Sequence, residues 1–361
     1  MIHRLVIENL KHRPVRTLLS AILIGVMVTM ILTLVGVSEG VLADMAARSR
    51  GTGADILVRP PGSSVLGFSG DMPEGIVNLV RKQPHVVLAT GTKVQSIGNF
   101  DSITGINLEE FNSMSGGLRY REGGPFKGPD ELLIDDVWAR SHQLHAGNTV
   151  DLGFKWRVAG VVESGKLSHL FAPRESLQDK YSAPGKVSVI YIKLDDPKNT
   201  AAVIEALKQK LDDYRVFSVD EFVSLISVDS VPILKTFTKV VIGVAAIVGF
   251  FIVFLSMYTA VLERTREIGI LKALGASPGY IMAILMRETF VLAIIGAAAG
   301  ILMSYGTRWI MNTFVPTMPM LIVHSWWPWA GLIALTGSLI GAIYPGLKAA
   351  RQDAIEALAY D

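Results

Sequence analysis

Residues 17–37 form a run without a single charged side chain. Three further runs of this kind follow, and together they constrain the chain more than anything else in it. A helix rises ~1.5 Å per residue, so crossing ~30 Å of hydrocarbon takes roughly 20 apolar residues. Residues 240–262 meet that length and are bounded by Lys239 and Glu263. Residues 289–306 are shorter, but a mostly apolar stretch at 280–286 precedes them, and the third span is placed at 286–308. The fourth is 327–347. The 361-residue chain as a whole is 50% hydrophobic, with a mean hydropathy of +0.41. The first run is longer than the core of a cleaved signal peptide and no clear A-x-A site follows it, so it reads as an uncleaved signal anchor.

Orientation follows the Lys/Arg bias of the short flanks. Arg4, Lys11, Arg13 and Arg16 precede the first span. Arg264, Arg266 and Lys272 lie between the second and third, with Arg287 at the near edge of the third, and Lys348 and Arg351 follow the fourth. The far side of spans three and four carries only Arg308, at the edge of the third, while Lys235 and Lys239 weaken the bias without reversing it. Both termini and the 263–285 loop are therefore expected in the cytoplasm, with residues 38–238 outside it. The span interiors, taken from residue 289 in the third, hold no Asp, Glu, Lys, Arg or His. That argues against a proton relay or a charged pore. The pairs Gly296/Gly300 and Gly337/Gly341 are spaced for close helix packing in lipid, within one subunit or across a dimer.

Two flanking segments read as helices outside the bilayer core. Residues 1–16 carry an amphipathic pattern, with Ile2, Leu5, Val6 and Leu10 opposite Arg4, Glu8 and Lys11, which suits a helix lying in the interface. After the second span, charge is dense through Glu263, Arg266 and Glu267, then the sequence turns apolar at Ile268, Ile270, Leu271 and Leu274. Gly275 fits a helix end, and Ser277 followed by Pro278 fits a new helix start. Exposed apolar residues beside charges give this short helix the composition of a docking surface, although a merely solvated helix reads the same way.

Residues 38–238 are enough for one or two domains of the α+β class. Strands are expected at 54–59, 86–89, 187–194 and 214–219, with a hairpin from 149–152 and 157–162. Asp196-Pro197 opens a helix with Ala201, Ile204, Leu207 and Leu211 on one face. Residues 60–72 and 113–130 are rich in Gly, Pro and Ser and read as loops.

Chemistry is sought and not found. Residues 160–166 match the first seven positions of a phosphate-binding loop, but Leu167 stands where a magnesium-binding Ser or Thr belongs, so Lys166 is expected to be dispensable. There are no cysteines and no H-E-x-x-H. His142 and His145 lack the glutamate of a zinc peptidase helix. The adjacent carboxylates of Asp135-Asp136 and Asp212-Asp213 point to different faces. No catalytic, cofactor or metal site is assigned. A net charge of +2 without a basic run gives no sign of a nucleic-acid partner, and none is expected.

One stretch is specific. Residues 263–277, Glu-Arg-Thr-Arg-Glu-Ile-Gly-Ile-Leu-Lys-Ala-Leu-Gly-Ala-Ser, resemble the R-x-x-E-I-G-x-x-x-A-L-G-A signature of the FtsX-like permeases. These are the membrane subunits of MacB-like and lipoprotein-releasing ABC systems. Residues 345–351 and 354–358 are similar to that family's C-terminus, and 53–56, 144–150 and 158–162 resemble its periplasmic core domain. The resemblance implies a permease in a bacterial inner membrane, paired with a cytoplasmic ABC ATPase and a second copy of itself. It leaves room for a periplasmic adaptor. In such a system Glu263, Arg266, Glu267, Leu271, Lys272, Leu274 and Gly275 would form the coupling helix that carries ATPase closure into the membrane, with Leu271 and Leu274 as the anchor. The ectodomain would then export or extract a hydrophobic substrate. Activation of an extracytoplasmic cell-wall hydrolase is the other role the family admits.

Overall fold

A computed structural model describes residues 14–63, 70–97, 101–227 and 232–352. Residues 1–13 of the interfacial helix expected over 1–16, and the family-like segment 354–358, lie outside the described residues, while residues 14–16 open the first long helix. Two compact units are present, one formed mainly by Gly40–Pro232 and the other by the long apolar helices.

Among the described residues, the helical unit is organised by four helices long and apolar enough to cross a membrane. They are α1 (Pro14–Arg50), α8 (Pro232–Glu263), α10 (Pro278–Phe314) and α11 (Trp327–Arg351). Each is longer than its apolar stretch. The 37 residues of α1 span ~55 Å, well beyond ~30 Å of hydrocarbon. Hydropathy marks where a helix is in lipid, whereas backbone hydrogen bonding carries it on into water. Four of the six tryptophans, Trp309, Trp326, Trp327 and Trp329, cluster around the α10–α11 connection. Trp309 is 67% and Trp329 60% exposed, as expected of an aromatic belt at a membrane interface.

The core of this unit joins Ile24, Val28 and Ile31 of α1 to Val253 and Met257 of α8 and to Leu285 and Leu292 of α10. Close approach rests on glycine. A Cβ on Gly296 would stand 2.6 Å from Cβ of Ile24, and one on Gly300 would stand 2.6 Å from the Gly25 carbonyl oxygen. A Cβ on Gly341 would lie 2.8 Å from the Phe250 oxygen, whereas one on Gly337 meets nothing nearer than 3.7 Å. Hydroxyls add the polar ties available in lipid: Ser20 and Ser256 share a 2.6 Å hydrogen bond, and Thr29 donates to the Gly300 carbonyl at 3.0 Å.

The second unit is an α+β domain inserted between α1 and α8. Its strands are β1 (Ile56–Arg59), β2 (Met72–Pro73), β3 (Val86–Ile97), β4 (Asp101–Ile106), β5 (Tyr120–Gly123), β6 (Glu131–Asp135), β7 (Thr149–Asp151), β8 (Lys155–Val162), β9 (Leu170–Pro173), β10 (Lys186–Val187), β11 (Val189–Leu194) and β12 (Arg215–Ser218). The large sheet runs β12-β1-β11-β3-β4-β9-β6-β8-β5, with β7 paired to β8. Most pairs are antiparallel, but β4–β9 and β6–β8 are parallel. β3 spans both halves of the sheet: residues 86–92 pair with β11 and 93–97 with β4. The packing divides accordingly, with Ile56, Val58, Ile190 and Ile192 in one core and Ile103, Leu132, Trp138 and Trp156 in another.

The shorter helices are α2 (Gly75–Arg81), α3 (Leu108–Ser115), α4 (Asp136–His142), α5 (Arg174–Lys180), α6 (Thr200–Lys210), α7 (Val219–Leu225) and α9 (Thr265–Ala273). Two readings need correction. The buried face of α6 is Val203 and Leu207, continued by Leu211 beyond its end, while Ala201 is exposed in the first turn. The stretch expected as loop at 113–130 contains β5, held on β8, and the end of α3, and Met72 of the other expected loop begins β2. Lys166 is engaged: its ammonium donates to the carbonyls of Ser115 and Gly117, each at 2.6 Å. Burial, with Arg119 nearby, pushes its pKa down.

Candidate functional site

The short helix α9 is set off by breaks at both ends. α8 closes at Glu263, and Arg264 leaves helical geometry at φ −111° and ψ 16°. Thr265 Oγ1 donates back to the carbonyls of Val261 and Leu262, and the Ile268 amide donates to the Arg264 carbonyl. At the far end Gly275 adopts φ +91°, which a side chain rarely tolerates. Its amide donates to Lys272, and that of Ala276 to Leu271, closing the last turn. The hydroxyl of Ser277 then accepts from the Tyr280 amide at 3.2 Å and caps α10.

These breaks give α9 two unlike faces. Thr265, Ile268 and Gly269 are buried. Ile270 is 46% and Leu274 81% exposed, one helical turn apart on the other side. Arg266 and Glu267 are exposed beside them. Leu271 is half-buried and lines a groove of about 310 Å³ together with Ala260, Arg264, Glu267, Ile268 and Ile270, and with Ile281, Ile284 and Leu285 of α10. Of the anchor pair expected at Leu271 and Leu274, Leu271 lines the groove and Leu274 stands on the open face, while Ile270 both lines the groove and is exposed beside Leu274. Lys272 donates through Nζ to the carbonyl of Gln352, just beyond α11.

A further pair was not expected. Nη1 of Arg264 lies 3.1 Å from Oε2 of Glu288 on α10, and their side chains are only 8% and 1% exposed. The third span, placed at 286–308, thus contains a buried acid near its start. Glu288 continues the inward stripe Ile281, Ile284 and Leu285 on the way to Leu292. An acid on an apolar stripe is the signal that calls for a nearby cation.

Two family profiles cover this architecture. The FtsX-like permease C-terminal matches residues 239–354, which include α9 and all its contacts named above. The MacB-like periplasmic core domain matches residues 17–210, more than half of the chain. The chain belongs to the MacB/FtsX family of ABC transporter permeases. The permease is 32% identical over 219 residues to the uncharacterized ABC transporter permease YknZ of Bacillus subtilis, covering 58% of this chain and 54% of that one. It is 25% identical over 395 residues to the macrolide export ATP-binding/permease protein MacB of Escherichia coli, covering 99% of this chain and 60% of that one. The permease thus spans somewhat more than half the length of these relatives. The periplasmic region of MacB from Actinobacillus actinomycetemcomitans aligns with 49% of this chain and 94% of its own, at 19% identity and a TM-score of 0.37. With four spans and a MacB-like periplasmic core domain, the permease is a multi-pass membrane protein with an extracytoplasmic domain.

Proposed function

We propose that the permease is the transmembrane subunit of a mechanotransmission ABC system. A separate cytoplasmic ATPase docks on α9, and its closure is transmitted through the helices to the extracytoplasmic domain, which exports or extracts a hydrophobic substrate. The observation that carries this reading is the face of α9. Ile270 and Leu274 are apolar, exposed and rimmed by Arg266 and Glu267. Apolar anchors inside a charged rim are the anatomy of a protein-binding surface. The Lys/Arg count supports placing α9 and both termini in the cytoplasm. A second copy of the chain completes the machine, and an adaptor can extend it outside the membrane.

The test is purification of the full chain from native membranes, mass spectrometry of what accompanies it, and ATP turnover after reconstitution in lipid. An ABC ATPase that co-purifies and is stimulated by the permease is expected. A cell-wall hydrolase recovered and activated, with no transport substrate bound, would overturn the export reading.

A further inference from the structure

The buried pair between Arg264 and Glu288 is poorly explained as a source of stability. Taking two such charges out of water costs several kcal/mol per ion, and well-packed apolar residues commonly do as well or better in their place. Near lipid the cost of either charge alone rises further. What an ion pair supplies, and two leucines do not, is one fixed geometry between two specific atoms. The position of this pair gives that property a use. Arg264 stands at the break between α8 and α9, and Glu288 stands on α10. Between α9 and α10 the packing is incomplete: Ile268 is buried with Ile281 and Leu285, but the groove of about 310 Å³, lined also by Arg264, Glu267, Ile270 and Leu271, stays open beside it. Interdigitated side chains therefore do not lock α9 to α10 along its whole length. At the opposite end of α9, Lys272 reaches the Gln352 carbonyl beyond α11.

We propose that α9 is a crossbar fastened at both ends, and that Arg264 and Glu288 are the positioning residues that carry its displacement into α10. Lys272 performs the corresponding task toward α11. This inference rests on the reading of α9 as the ATPase-docking helix. Arg264 shares the lining of the groove with Ile270 but not with Leu274, so binding lost at Leu274 and turnover lost at the Arg264–Glu288 pair are separable readouts.

The test uses the full chain with its co-purified ATPase in lipid nanodiscs. The variants are Glu288→Gln, Arg264→Lys and the swapped pair Arg264→Glu/Glu288→Arg. Two quantities are read: the ATPase affinity for the permease, and the kcat and KM of permease-stimulated ATP turnover. Glu288→Gln and Arg264→Lys are expected to bind the ATPase within about twofold of wild type while stimulated kcat falls about tenfold, a coupling loss of ordinary size. The swapped pair is expected to recover at least part of that loss. If Glu288→Gln does not fold, the conservative Arg264→Lys and the swapped pair still decide the matter. Full stimulation by the folded variants would overturn the proposal. So would a parallel loss of affinity and turnover, since the pair would then merely shape the docking face. A swapped pair that folds and binds but recovers nothing would also overturn it. A wild-type chain that recruits no ATPase would instead remove the functional reading itself, and this inference with it.

Discussion

Truncating the open face of α9 is the sharpest test of how it docks. Cutting Leu or Ile back to Ala removes three carbons, worth about 2.4 kcal/mol at ~0.8 kcal/mol per buried methylene. A partner can cover only what the free permease exposes. Leu274 is 81% exposed, so Leu274→Ala should weaken ATPase binding by up to about 1.9 kcal/mol, roughly 25-fold. Ile270 is 46% exposed, which limits Ile270→Ala to about 1.1 kcal/mol, roughly sixfold. Leu271 already contacts the groove wall, so Leu271→Ala should cost less binding than Leu274→Ala and more loop stability. Reversing Arg266 or Glu267 should cost about 0.2–1 kcal/mol and should fade as salt is raised. The assay is titration of fluorescent ATPase onto the permease in nanodiscs at two ionic strengths. Binding by Leu274→Ala within about twofold of wild type, or a larger loss from Leu271→Ala, would refute the geometry of this face.

Other outcomes follow from contacts elsewhere in the chain. Gly300→Val drives a side chain into the α1 backbone at Gly25 and should lower stability in detergent by about 1–3 kcal/mol; Gly337→Ala, with nothing nearer than 3.7 Å, should be close to neutral in the same melt. Lys166→Ala strips a cation from two carbonyls and should lower thermal stability by about 1–2 kcal/mol while leaving ATP turnover unchanged. Glu131 accepts from the amides of Lys127 and Gly128, and these bonds hold its carboxyl below the ordinary value of 4.5. The folded state thus favours the charged form, so the contribution is present above about pH 4.5 and lost as pH falls through the lower folded value. Glu131→Gln should flatten that acid limb in melts between pH 6 and 3. Alkaline phosphatase fused near residue 120 should be active and the same fusion after Asp361 inactive; the reverse pattern would invert the topology.

The spans are legible in the sequence because hydropathy answers a question about solvent, which a local window can pose. Their ends are not, since the helix continues wherever its backbone bonds continue. The extracytoplasmic domain is harder for a related reason. β3 is expected only over residues 86–89, yet it runs to Ile97, because Thr90, Thr92 and Lys93 interrupt the apolar pattern. Those polar groups are buried with partners. Lys93 lies 2.6 and 2.7 Å from the two oxygens of Asp71, a residue 22 positions away. Burial of that kind depends on a tertiary partner and leaves no trace in local periodicity. The helix α6 shows the same limit on a smaller scale. Its phase is set by the turn at Pro197–Asn199, which leaves Ala201 in the exposed first turn and brings Val203 inward.

The candidate site divides along the same line. Its boundaries are legible because Gly275, Ser277 and Pro278 act through local backbone geometry. Its faces are not, since Ile270, Leu271 and Leu274 are all apolar and only contact with α10 decides which is a wall and which is open. Arg264 is the clearest case. It opens the family-like signature, and as one charge among several it resembles a solvated rim residue. Glu288 is where the sequence holds a recoverable signal. It continues the spacing of Ile281, Ile284 and Leu285 and precedes Leu292, so a helix that buries those residues must bury an acid too. A carboxylate in that position requires a cation, and the break before α9 is the place from which an arginine can reach it without bending a span. An ionisable residue at the edge of an apolar run is therefore better judged by the helical face it shares than by its distance from the end of the run.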